Sequence, residues 1–149
     1  MQFLTQSAFD SEPNVSGKLL LIDDHQQIAR IFQVFLEKTR HAAMAFEATL
    51  TLEQGLEIIK REVVSVIVLD NYLGLYENYE EPLRQIRSLT DAPVILLTGS
   101  ELSEIGLSEV PDELAGYLWK VGLLPEHIES VLDELFPAEA CCSASKLNR

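Results

Sequence analysis

Cysteine is scarce in this chain: Cys141 and Cys142 stand side by side in a small polar stretch, and there are no others. That excludes a disulfide framework, and neither has a further cysteine at metal-ligand spacing. A reducing compartment fits, with the cytoplasm as the expected location. Positive charge is scarce too. The 11 Lys and Arg face 24 Asp and Glu, leaving a net charge of −13. Such a surface repels nucleic-acid phosphate and favours basic protein surfaces or metal cations. No apolar stretch approaches the roughly eighteen residues of a membrane helix. Residues 1–17 lack the basic start and apolar core of a signal peptide. They read as a flexible lead-in broken by Pro13, Asn14, Ser16 and Gly17. What the chain does have is apolar bulk, 47% of its residues. That is enough for one packed domain, expected over 18–136, followed by a loose tail at 137–149.

The apolar residues alternate between two periods. Leu19–Ile22, Val63–Leu69 and Pro93–Leu97 are short apolar runs, the mark of strands buried on both faces. Ala43–Ala48 and Gly116–Trp119 read as shorter strands. Between them, Ile28, Ile31, Phe32, Phe35 and Leu36 form a helical stripe over 26–39. Thr51 with Gln54 resembles a capping box ahead of Leu52, Leu56 and Ile59. A further helix is expected near 80–89, with Pro82 in its first turn. Pro125 opens a last helix carrying Ile128, Val131, Leu132 and Leu135, and Pro137 closes it. The acidic stretch 101–114, broken by Gly106 and Pro111, predicts a short or irregular helix. Five strands alternating with about five helices imply right-handed crossovers and a doubly wound parallel sheet.

In such a sheet the C-terminal strand ends share one edge, where ligands bind. Asp23 and Asp24 end the first strand, Asp70 the third, Thr98 the fourth, and Lys120 the fifth. Crowded carboxylates are unfavourable unless a cation or a proton relieves them. A hard cation such as Mg²⁺ suits oxygen ligands. A carboxylate can attack phosphorus to give an acyl phosphate, with a metal offsetting the repulsion between two anions. Thr98 can donate to phosphoryl oxygens and Lys120 can pair with them.

Leu-Leu-Ile-Asp-Asp, Val-Ile-Val-Leu-Asp, Val-Ile-Leu-Leu-Thr-Gly and Gly-Tyr-Leu-Trp-Lys occur in that order at strand ends. Together they resemble the receiver domains of two-component response regulators, over roughly residues 18–136. The resemblance implies a flavodoxin-like (CheY-like) five-stranded sheet. It implies that Asp70 accepts phosphate from a histidine kinase or phosphotransfer protein. It implies Mg²⁺ held by Asp24 directly, by Asp23 mostly through water, by Asp70 and by the main-chain carbonyl of Tyr72. Thr98 would be the switch hydroxyl, Lys120 the phosphate-pairing lysine and Tyr117 the switch aromatic. The protein would then be a phospho-acceptor and no enzyme toward a separate substrate. About a dozen residues follow the last helix, so output is expected through a downstream protein partner. A homodimer through 101–136 is one arrangement left open.

Three features depart from the family pattern. Val121 follows Lys120 where proline is usual, so a trans bond is expected there. The loop after Asp70 is about one residue longer than usual and lacks an aspartate-glycine pair. The 101–114 segment is atypical. These departures motivate an alternative, a degenerate receiver acting as a phosphorylation-independent binding module. A metal-dependent phosphohydrolase is a third reading, but Tyr72 stands where such enzymes commonly place an acid. His25 reads as a solvated loop histidine, and His41 and His127 carry no signal. The acids at 101–113 read as a solvated face or a site for a basic partner.

Overall fold

The computed structural model describes residues 17–137. The flexible segments expected at 1–17 and 137–149 lie outside the described residues, Gly17 and Pro137 apart, as do Cys141 and Cys142. The described chain runs β1 (Lys18–Ile22), α1 (Gln26–Leu36), β2 (Ala45–Thr49), α2 (Leu52–Arg61), β3 (Val66–Asp70), α3 (Glu80–Arg87), β4 (Val94–Thr98), β5 (Gly116–Trp119) and α4 (Pro125–Leu135). The strands form one parallel sheet in the order β2-β1-β3-β4-β5.

The apolar runs are buried on both faces because successive side chains point to opposite sides of the sheet. Leu20, Ile22, Ile67, Leu69, Val94 and Leu96 face one side. There they pack with Leu52, Ile58 and Ile59 of α2 and with Leu83 and Ile86 of α3. Leu19, Leu21, Val66, Val68, Ile95 and Leu97 face the other, under Phe32 and Leu36 of α1 and Ile128 and Leu132 of α4. Ile31, placed on the apolar stripe of α1, is instead 43% exposed.

The helix ends follow local chemistry. Thr51 caps α2 by accepting from the Gln54 N–H, while the Gln54 side chain accepts from Leu50 rather than from Thr51 itself. His127 carried no sequence signal, yet its Nδ1 accepts from the Leu124 N–H and caps α4. Of the about five helices expected, four are α-helices among the described residues, and the short or irregular one expected at 101–114 is present in 3₁₀ form. The β4–β5 connection holds only a 3₁₀ turn at Leu102–Ile105, ended by Gly106 at φ +86°. Glu101, Glu104, Glu109, Asp112 and Glu113 crowd this segment without a Lys or Arg, and like charges at helical spacing oppose a helix. Its apolar residues Ile105, Leu107 and Val110 still pack onto the core.

Gly55 shows how tightly α2 sits on β1. A Cβ there would meet Ile22 Cδ1 at 2.6 Å and Cγ1 at 2.9 Å. Alanine normally gains up to about 1 kcal/mol over glycine inside a helix, but overpacking a core costs about 1–3 kcal/mol. Gly55→Val is therefore expected to lower stability by about 2 kcal/mol, read as a reduced urea midpoint at unchanged slope.

Candidate functional site

Parallel pairing brings the strand ends to one edge. Ile22 pairs with Leu69, which sets Asp23 beside Asp70. Thr98 pairs with Trp119, and the Lys120 N–H donates to the Thr98 carbonyl at 2.8 Å. Lys120 thus enters the site directly after β5. Its Nζ lies 2.9 Å from Asp23 Oδ2 and 3.2 Å from Asp70 Oδ1. No cis peptide bond occurs among the described residues, so the ammonium reaches both acids across a trans Lys120–Val121 bond.

Asp23 and Asp70 are almost wholly buried, whereas Asp24 is exposed. Burial, and then the charge of Asp23, push the Asp70 carboxyl up to about 6, against the pull of Lys120 and the Tyr72 main-chain N–H. Buried carboxylate oxygens normally find partners. Here Asp23 Oδ2 and Asp70 Oδ2 accept no well-formed hydrogen bond, although the Lys120 ammonium stands close to the first. The unpartnered Asp70 oxygen beside an exposed carboxylate fits a divalent cation. One ligand atom from each of Asp23, Asp24, His25 and Asp70 falls within 4.8 Å of all the others.

The remaining predicted residues are placed around this cluster. Thr98 is fully buried, and its Oγ1 accepts from the Ser100 N–H at 3.1 Å. The Tyr117 hydroxyl donates to the Ser100 carbonyl at 2.8 Å, so Thr98 and Tyr117 meet through one residue. Burial, then Glu101 and Glu104, push the Tyr117 phenol up. The Trp119 indole donates to the Gly99 carbonyl at 3.2 Å. Tyr72 is about half-exposed. With Asp70, Lys120, Ile28 and Ile31 it lines an open cleft of about 530 Å³.

Several contributors were not legible in the sequence. Gly74, at φ +51°, turns the loop after Asp70 so that its N–H points to Asp24 Oδ2 at 3.4 Å. Such a conformation favours glycine. Buried Asn71 accepts from the Tyr79 N–H and holds the far end of that loop. The reading of His25 as a solvated loop residue is corrected in part. Its ring is exposed, yet Nδ1 lies 2.9 Å from Asp23 Oδ1 and 3.2 Å from Asp24 Oδ1. The only available signal was its position directly after the acid pair.

No protein-family profile and no curated protein matches the chain. Solved structures do. A beryllofluoride-activated DrrB receiver domain is 26% identical, with a TM-score of 0.65, over 80% of this chain and 97% of its own. A two-component response regulator from Clostridium difficile is 18% identical, with a TM-score of 0.70, over 84% and 99%. A CheY-like receiver domain from Methanospirillum hungatei is 21% identical, with a TM-score of 0.66, over 80% and 94%. The fold is that of CheY-like receiver domains. No helix among the described residues is long and apolar enough to cross a membrane.

Proposed function

We propose that this chain, whose fold is that of response regulator receiver domains, is a Mg²⁺-dependent phospho-acceptor with Asp70 as its nucleophile. The observation that carries the reading is Asp70 itself. Its carboxylate is buried among Asp23, Asp24 and Lys120, has an unpartnered oxygen, and lines the open cleft. Asp23, Asp24, Asp70 and the Tyr72 carbonyl would hold Mg²⁺, which supplies charge neutralisation between the attacking carboxylate and the phosphoryl oxygens.

The protein groups divide the remaining work. An Asp70 oxygen attacks phosphorus as the bond to the donor's histidine nitrogen breaks, and that nitrogen keeps the bonding electrons. Lys120 already touches Asp70 and pairs with the added charge. Thr98 exchanges its contact with Ser100 for a phosphoryl oxygen. That exchange loosens the Ser100–Tyr117 link and shifts the population of the β4–β5 surface. Partners follow from this chemistry: a histidine kinase or phosphotransfer protein upstream, and a downstream protein, in the cytoplasm. The chain is not an enzyme toward a separate substrate. Incubation with Mg²⁺ and a small phosphodonor should add the mass of one phosphoryl group to the intact protein. If neither the donor nor a cognate kinase adds that mass, the proposal is wrong.

The second reading, a receiver fold kept as a phosphorylation-independent binding module, draws on the β4–β5 connection. That connection holds a 3₁₀ turn where an α-helix would complete the repeating pattern. A titration with beryllofluoride and Mg²⁺, followed by NMR, separates the two. Shifts that spread from Asp70 to Tyr117 count against the second; shifts confined to Asp70 count for it.

Tyr72 bears on the lifetime of the phosphoryl group. Tyr72 is about half-exposed and lines the cleft with Asp70, so its bulk would hinder water that enters there. Exclusion of water slows hydrolysis, so Tyr72→Ala is expected to speed loss of the phosphoryl group about threefold or more. An unchanged rate, measured by loss of the mass adduct, would show that Tyr72 does not shield it.

A further inference from the structure

A second groove, of about 300 Å³, lies between the β2–α2 turn and the loop after Asp70. It shares no lining residue with the cleft beside Asp70. Its floor is Leu52 and Leu73, which are buried and belong to the core. Its rims carry Leu50, 38% exposed, and Leu75, which is fully exposed. Single exposed leucines need no explanation, but two on the rims of one apolar groove mark a surface that can bind.

Both rims are tied to the frame. The Tyr76 N–H donates to the Leu73 carbonyl at 2.8 Å, closing a turn over Gly74 and Leu75. Turns normally carry glycine or polar residues, so a leucine held at this tip is unusual. On the other rim the Leu50 N–H donates to the Gln54 side chain, and Thr51 caps α2. An incoming chain thus meets an apolar groove that is already built. Charge decides what enters it. Glu53 lines the groove and Glu77 follows Tyr76; both are exposed, and neither forms an ion pair among the described residues. No Lys or Arg occurs in 41–59 or 62–83, the segments that carry both rims. A second copy would bring its own glutamates to the same place, and like charges oppose that contact.

We propose that this groove is a docking site for a segment of a partner protein in which a bulky aliphatic residue is flanked by Lys or Arg. The aliphatic side chain enters between Leu50 and Leu75 and covers the apolar floor. The flanking cations pair with Glu53 and Glu77, which adds specificity and speeds encounter more than it adds affinity. The inference does not rest on phosphoryl transfer at Asp70.

The test is NMR titration of the full chain, reading amide and leucine methyl signals. The probe is a capped Lys-Lys-Leu-Leu-Lys-Lys peptide, with Lys-Lys-Ser-Ser-Lys-Lys and Glu-Glu-Leu-Leu-Glu-Glu as controls. The lysine–leucine peptide should shift Leu50, Gly74 and Leu75 saturably and bind at least about fivefold more tightly than either control. Leu75→Ser should weaken it at least about fivefold. Leu75 is fully exposed, so the variant should fold. Glu53→Gln should weaken it about twofold or more, and that difference should shrink as salt is raised. Equal binding of the serine control would reduce the contact to charge, and equal binding of the glutamate control would reduce it to apolar area; either result overturns the proposal. So would shifts centred on another surface, or unchanged affinity in either variant. If the parent chain dimerises in sedimentation and Leu75→Ser does not, a second copy fills the groove and the proposal is wrong. The phosphodonor mass gain should be the same in Leu75→Ser as in the parent, so its failure in both would overturn the phospho-acceptor reading and leave this one standing.

Discussion

Asp70→Asn is expected to abolish the phosphodonor mass gain entirely and, in the same molecule, to stabilise the metal-free protein. The first effect follows because an amide oxygen is too weak a nucleophile to form the acyl phosphate. The second follows from crowding. The folded-state value of the Asp70 carboxyl, about 6, lies above its ordinary value of 3.8. Below pH 3.8 the group is protonated in both folded and unfolded chains and costs nothing. As pH rises toward 6 the unfolded chain ionises first, so folding stability falls, and the full penalty is present above that. A gap of about two units corresponds to about 3 kcal/mol at most. In EDTA at pH 8, Asp70→Asn should therefore resist urea better than the parent by about 2–3 kcal/mol, and the advantage should vanish near pH 4. If denaturation at pH 8 shows no advantage, the carboxylates are not crowded as described. Saturating Mg²⁺ should shrink the gain, because the parent protein then holds a counter-ion.

Lys120→Met carries the opposite expectation. Methionine keeps most of the stem but removes the ammonium that lies between Asp23 and Asp70. Removing one partner of a buried ion pair typically costs about 3–5 kcal/mol. The loss should be largest in EDTA at pH 8 and smaller in mild acid, where Asp70 can take up a proton. Mg²⁺ at about 100 times its dissociation constant should restore nearly 3 kcal/mol, because it binds only the folded protein. The double variant Lys120→Met/Asp70→Asn should lose much less than Lys120→Met alone, since it no longer buries an uncompensated charge. Additive losses in that cycle would place Lys120 outside the cluster's energetics.

Much of the fold was legible because its strands are so apolar. Val66–Leu69 and Val94–Leu97 are buried on both faces, and only a parallel sheet covered by helices satisfies such runs. The acids and Lys120 were legible because they interrupt these runs where each strand must end. The breakdown of the 101–114 segment was legible too, from Gly106, Pro111 and unpaired acids.

Other features depend on contacts between distant segments. Gly74 looks like an ordinary loop glycine until its N–H is seen to face Asp24. His25 looks solvated until Nδ1 is found against Asp23 and Asp24. The link from Thr98 through Ser100 to Tyr117 joins two strands across the sheet.

By itself the sequence determined which residues end the strands, because burial, turn chemistry and charge act over a few residues at a time. The tertiary structure alone decided their company. The order β2-β1-β3-β4-β5 puts β1 beside β3, so two acids far apart in the chain become buried neighbours that share one ammonium. Strand order and side-chain direction are set by packing across the whole core, and no local pattern encodes them.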